Sequence, residues 1–281
     1  MSAPIPFVLP VDEQRALHGL IHASSQSGRR PTIVICHGFK GFMEWGFFPY
    51  LAQLLSDRGL TVVRFNFTGS GMQPGDAHVT DEGAFSSATF SRDLDELIFL
   101  LAAVGDTVAA DIVDRDRLGV LGHSRGGGTA LLAAAHPDWS ESLRALVTWS
   151  AISTFDRFSA EDKEIWRQRG STPIVNARTG QELQIDRLVL DDLEARLTEL
   201  DLLAAAQRRQ APWLLVHGED DETVPVTEAR DLATAATGNT RVVLIPDAGH
   251  TLGAVHPFTG PTPQLITALN ATQSWLRDYL E

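Results

Sequence analysis

Short, mostly apolar runs recur along the chain at residues 32–37, 61–67, 118–121, 145–149, 213–216 and 242–245. Runs of this length, without polar alternation, suit strands buried on both faces, as in a parallel sheet. Between them, residues 48–58, 91–104, 127–135, 226–236 and 263–280 carry apolar positions every three to four residues, the spacing of amphipathic helices. Strand and helix alternate along nearly the whole chain, which predicts an α/β fold with a mostly parallel, doubly wound sheet flanked by helices. Ahead of the first run, residues 5–9 and 16–22 flank a polar turn and predict an antiparallel opening pair. The alternation breaks between residues 153 and 210, a polar stretch rich in Arg, Asp and Glu. Within it, residues 174–183 predict a hairpin turning at Thr179-Gly180, and residues 188–206 predict a helix. The stretch holds too few apolar residues for a core of its own, so we expect a cap or lid over the strand ends of a single domain, residues 1–281.

Composition narrows the function classes. Apolar residues make up 43% and charged residues 21% of the 281, ordinary globular usage that argues against disorder. The formal net charge of −13 repels phosphate backbones and anionic lipid, so neither nucleic acid nor a membrane surface is an expected partner. Cys36 is the only cysteine, which excludes an intramolecular disulfide and a multi-thiolate metal site. The first residues form neither a basic leader nor a long apolar run, and no stretch approaches a membrane span. The expectation is a cytoplasmic protein, with homo-oligomerisation left open.

The candidate chemistry begins at Gly122-His123-Ser124-Arg125-Gly126, between a predicted strand and a predicted helix. A serine in a tight strand-to-helix turn projects its hydroxyl above the sheet, and the next amide, that of Arg125, sits at a helix N-terminus where a developing oxyanion is stabilised. The bland alternative, a glycine-rich turn with an incidental serine, does not account for that placement. A hydroxyl needs a base, and the base an orienting acid. His250 follows the last apolar run directly, at the strand end where open α/β sheets build their sites. His256, in the same loop, is the runner-up, whereas His37, His123 and His217 read as structural histidines bonded to loop backbone. The acid falls in Glu219-Asp220-Asp221-Glu222, a loop that could also be a plain solvated turn; the chain order serine, acid, histidine favours a role for one of the four. The turn His37-Gly38-Phe39 offers a second oxyanion donor, the Phe39 N–H, with Gly38 expected to allow the backbone conformation that points it inward. Cys36 reads as a small buried hydrophobe. Phe39, Trp45, Phe47, Phe48, Trp149, Phe155, Phe158 and Trp166 stand near the strand ends and could line an aromatic pocket, although any one of them could equally be core. Trp45, Trp149 and Phe155 are the substrate-binding candidates, Trp149 by its place at a strand end.

Taken together, His37-Gly38-Phe39, the Arg64–Gly71 loop, Gly122–Gly126, the Asp-x-x-Val-Pro pattern of Asp221–Pro225 and Gly249-His250 resemble the α/β-hydrolase superfamily. The match runs in order from about residue 32 to the C-terminus, leaving out the insertion, and looks most like cinnamoyl/feruloyl-esterase-like and serine-aminopeptidase-like members. The resemblance implies the α/β-hydrolase fold, a Ser-His-Asp triad and no metal or organic cofactor. It selects Asp221 over Asp220 as the acid. Serine at 124 sets the chain apart from dienelactone-hydrolase-like and dehalogenase-like enzymes, which would carry cysteine or aspartate there. The expected activity is hydrolysis of carboxylic esters with small or aromatic acyl groups through an acyl-enzyme. A peptidase or amidase of the serine aminopeptidase type is the alternative, and a non-catalytic binding protein on the same scaffold is a third.

Overall fold

The computed structural model describes residues 3–280. Its strands are β1 (Ile5–Pro10), β2 (Ala16–His22), β3 (Arg30–Cys36), β4 (Thr61–Asn66), β5 (Val113–His123), β6 (Leu143–Trp149), β7 (Ser171–Val175), β8 (Glu182–Asp186), β9 (Trp213–Gly218) and β10 (Thr240–Ile245). Eight of these form one sheet in the order β1-β2-β4-β3-β5-β6-β9-β10. β2 pairs antiparallel with β1 and β4, and every later pairing is parallel. The apolar runs follow from position: β4 and β9 are buried along their whole length, Arg64 and Asn66 of β4 included, and β3 is buried beyond its first residue. The edge strand β10 leaves Val242 41% exposed.

The α-helices are α1 (Phe48–Asp57), α2 (Glu82–Ser86), α3 (Phe90–Ala103), α4 (Arg125–Ala135), α5 (Ala160–Arg169), α6 (Arg187–Ala195), α7 (Leu202–Arg208), α8 (Val226–Ala235) and α9 (Pro263–Leu280). Period-two alternation divides the strand side chains between two cores. Ile33 and Ile35 of β3, Leu121 of β5, Val147 and Trp149 of β6 and Val216 of β9 pack with the buried faces of α1 and α9. Val34, Cys36, Val120, Leu146 and Leu215 point the other way, toward α3, α4, α7 and α8. Among the described residues no helix is long and apolar enough to cross a membrane.

The stretch between β6 and β9 departs from expectation in two places. The single helix predicted over residues 188–206 is two helices, α6 and α7. The Asp201 carboxylate accepts the Ala204 N–H at 2.9 Å, so the aspartate starts a new helix instead of continuing the old one. α7 then lies in the helix layer against α4 and α8. Helix α5 was not predicted; only Trp166 on it is buried, so it has no apolar stripe to read. The hairpin forms as β7 and β8, pairing antiparallel around the 176–181 loop.

Candidate active site

β5 turns into α4 through Ser124, whose φ of 57° and ψ of −124° are rarely adopted by a residue with a side chain. Such a conformation costs about 1–3 kcal/mol and persists only where its surroundings hold it. Here the Ser124 N–H donates to the Trp149 carbonyl of β6 at 2.9 Å, and the Ser124 carbonyl accepts the Gly127 N–H of α4 at 2.9 Å. The flanking glycines answer to space. A Cβ on Gly122 would stand 2.1 Å from the Gly126 carbonyl oxygen, and one on Gly126 would stand 2.3 Å from that of His37. Gly38 corrects an expectation in the same way. Its φ is not left-handed; a Cβ there would press to 2.9 Å from the Ser124 Cβ. The left-handed residue of this turn is Lys40, at φ 58°, and the turn closes with the Gly41 N–H on the Gly38 carbonyl at 3.0 Å.

The structure brings Ser124, His250 and Asp221 together at the carboxyl ends of β5, β9 and β10. His250 Nε2 lies 3.0 Å from Ser124 Oγ, and His250 Nδ1 lies 2.8 Å from Asp221 Oδ2. A carboxylate can only accept, so Nδ1 carries the proton and Nε2 is free to accept the serine hydroxyl. Asp221 is buried, and its Oδ1 accepts the Thr223 and Val224 N–H groups at 2.9 and 2.8 Å. Burial pushes this carboxyl up, but the hydrogen bonds from His250 and Val224 and the nearby His250 and His217 rings outweigh it and hold it below the ordinary aspartate value. Asp220 is exposed, and its backbone N–H donates to the Ala248 carbonyl at 3.0 Å, tying the acid loop to the histidine loop. His256 is turned away from the serine: its Nδ1 accepts the Gly46 N–H at 3.0 Å.

Two backbone N–H groups next to Ser124 in the structure or the sequence, those of Arg125 and Phe39, make no backbone hydrogen bond among the described residues. Arg125 is the first residue of α4, so its N–H precedes the helical hydrogen-bond ladder. The Arg125 side chain is anchored: its Nε and Nη2 donate to Asp93 Oδ2 at 3.0 and 2.5 Å. Its guanidinium carbon lies 5.1 Å from the Phe39 ring centroid and 5.0 Å from that of Phe90.

The other strand-end histidines bond to loop backbone. His123 donates from Nε2 to the His250 carbonyl at 2.9 Å, and His217 from Nε2 to the Val224 carbonyl at 2.8 Å. His37 donates from Nδ1 to the Gly38 carbonyl at 2.9 Å and accepts the Phe67 N–H on Nε2 at 3.1 Å. Burial, in each case the largest cause, lowers His37 to about 4 and His123 to about 3, and lowers His22, beside the Arg64 guanidinium, to about 4. Between these values and the unfolded histidine value of about 6.5, the unfolded chain binds protons that the folded chain refuses. Stability is therefore full above pH 6.5 and falls as the pH drops toward 4, by up to about 1.4 kcal/mol per pH unit for each such group. Urea midpoints measured at pH 7.5 and pH 5 should drop accordingly, and His22→Gln should flatten the slope by about one proton; equal midpoints at both pH values would contradict this.

Two cavities open from the serine. One, of about 390 Å³, is walled by Phe39, Phe85, Phe90, Phe155, Phe158 and Trp166, and is closed by Ile174, Ile185 and Val189 from β7, β8 and α6. The other, of about 350 Å³, runs past His250 and is lined by Trp45, Phe48, Lys40, Asn176 and Arg178. Phe155 and Trp45 thus border the site, one in each cavity. Trp149 does not. It is fully buried on the α9 side of the sheet, its Nε1 donating to Thr272 Oγ1 at 3.0 Å, because strand parity turns it to the opposite face. Cys36 is buried, and burial raises its thiol far above the ordinary value, so it is inert core. Sequence reasoning missed Phe85 and Phe90, which are carried by a five-residue helix and the start of α3, and also Lys40, Asn176 and Arg178.

Comparison with known proteins agrees with this architecture. Est1E from Butyrivibrio proteoclasticus with ferulic acid bound superposes with a TM-score of 0.74 at 19% identity, covering 97% of this chain and 98% of that one. The acylaminoacyl peptidase of Pyrococcus horikoshii gives 0.73 at 19% identity, over 99% of this chain and 42% of that one. At such identities the likeness establishes the α/β-hydrolase fold alone. In sequence, the uncharacterized peptidase YuxL of Bacillus subtilis is 28% identical over 257 residues, 89% of this chain. This chain spans 35% of that relative's length. The family model of prolyl oligopeptidases matches residues 45–281, a span that holds the serine turn, the acid loop and the histidine loop, and the chain accordingly belongs to the prolyl oligopeptidase family.

Proposed function

We propose that Ser124 is the nucleophile, His250 its general base and Asp221 the orienting acid in the hydrolysis of carboxylic esters with apolar or aromatic acyl groups. The observation that carries the reading is the continuous relay from Asp221 through His250 to Ser124, at 2.8 and 3.0 Å, opening into an aromatic cavity of about 390 Å³. His250 takes the hydroxyl proton as Oγ attacks the carbonyl, and Asp221 stabilises the resulting imidazolium. The Phe39 and Arg125 amides receive the oxyanion. His250 then protonates the leaving atom, and water, activated by the same base, releases the acyl group. No step calls on a metal or organic cofactor. The ferulic acid held by the Butyrivibrio neighbour supports an aromatic acyl group.

A peptidase reading has its own support in the family match and in the Pyrococcus acylaminoacyl peptidase neighbour. The ester reading is preferred because the larger cavity is walled mainly by aromatic and aliphatic side chains, and of its cations Arg125 and Arg157 are already paired with Asp93 and Glu228, leaving only Lys40, which lines both cavities. The test is a panel of p-nitrophenyl esters from acetate to laurate with a feruloyl ester, set against matched acylaminoacyl p-nitroanilides. A cavity of this size holds on the order of a dozen water-sized groups. kcat/KM should rise by up to about fourfold per methylene, as expected for about 0.8 kcal/mol of burial each. It should peak at medium-chain or feruloyl esters and fall at laurate. Turnover confined to the anilides would overturn the ester reading, and acetate as the best ester would overturn the assignment of the aromatic cavity to the acyl group.

A further inference from the structure

The second cavity has a chemistry that the ester reading leaves unused. Among the described residues, neither Lys40 nor Arg178 forms an ion pair, and no Asp or Glu lines the cavity they share. Two unneutralised cations beside the nucleophile stand out in a chain with a net charge of −13. Both are held in place. Arg178 Nη1 donates to the Ala77 carbonyl at 2.6 Å, its guanidinium lies 5.1 Å from the Phe42 ring centroid, and its Nη2 has no partner. Lys40 occupies the left-handed position of its turn, where glycine or asparagine would be less strained, and its Nζ donates to the Val175 carbonyl at 3.4 Å and lies 5.8 Å from the Phe39 ring centroid. Asn176 is 3% exposed and lines the same cavity. Its Oδ1 accepts the Arg178 N–H at 3.2 Å while its Nδ2 is left without a partner. A buried donor without a partner is costly, and such groups are kept where something else satisfies them.

We propose that this cavity receives a carboxylate on the leaving group of the substrate, bound by Arg178 and Lys40 with the Asn176 amide as a further donor. The proposal rests on the hydrolase reading above and names its substrate class: an ester or amide with an apolar acyl group and a carboxylate-bearing alcohol or amine. The planar guanidinium fork and the amide suit a carboxylate. The leaving-group assignment follows from position. Ser124, His250, Phe39 and Lys40 line both cavities, but His123 and Thr251, the neighbours of the imidazole that protonates the leaving atom, line this one alone, whereas Arg125, the residue after the nucleophile, lines only the aromatic one of the two.

The test compares hexanoyl esters of para-hydroxyphenylpropionate and of the corresponding propionamide, phenols of nearly equal acidity that differ in the remote charge. Wild type should prefer the carboxylate ester by about tenfold or more in kcat/KM, and added salt should shrink the preference. Arg178→Gln and, separately, Lys40→Gln should each bring the ratio toward one, and Arg178→Glu should invert it. A variant that merely damages the fold lowers both rates together and leaves the ratio standing, which would count against the proposal. A wild-type ratio near one with both esters turned over would overturn this inference alone. No turnover of either ester would overturn the hydrolase reading on which it rests.

Discussion

Replacing Ser124 with alanine is expected to lower kcat on the preferred ester by about a million-fold, the scale on which removal of an activated serine nucleophile acts in such relays. Without Oγ, no acyl-enzyme can form and His250 has no hydroxyl proton to take. The remaining amides and cavities can only bind the substrate and polarise its carbonyl. Stability should hardly move. Alanine keeps the Cβ that makes the backbone at this position strained, so the strain is common to both proteins, and the main-chain bonds to Trp149 and Gly127 do not involve the side chain. Melting curves of the two proteins should therefore nearly coincide. Turnover by the alanine protein within tenfold of wild type would contradict the assignment.

The second large effect is expected at Asp221. Asparagine is nearly the same shape, but it presents an amide where the carboxylate accepted the His250 Nδ1–H at 2.8 Å. The imidazole then takes the other tautomer, with its proton on Nε2, facing the serine it should deprotonate. A loss of about ten-thousand-fold in kcat follows, with a small change in KM, because the substrate cavities do not include Asp221. Asp220→Asn is the matched control. Its side chain is exposed and its backbone tie to Ala248 survives the change, so a loss of less than about threefold is expected. Equal losses at the two positions would remove Asp221 from the relay.

The pair of adjacent aspartates also marks where the sequence stops being legible. Both follow β9, and no periodicity distinguishes neighbours in a loop; the choice needed the family pattern, and the geometry that places Asp221 beside His250 comes from the fold. The sheet itself was readable because strands such as β3 and β9 are buried on both faces and so spell out short apolar runs. Ser124 and His250, which the structure sets 3.0 Å apart, stood out because each lies in the turn or loop that follows such a run. Trp149 was not, because a strand-end tryptophan can face either helix layer, and here it faces α9 and not the cavity. The aromatic wall from Phe85 and Phe90 was hidden by a five-residue helix with no period to detect. Arg178 and Asn176, on the β7–β8 hairpin loop, line the same cavity as the serine, a long-range arrangement that local pattern does not encode.

The measurement that tests the central claim most directly is covalent labelling of the native protein with a fluorophosphonate, followed by peptide mass spectrometry. The account predicts one equivalent of label, carried by Ser124, with labelling strongly slowed in His250→Ala. Absence of label on folded protein, or label on another residue, would contradict it.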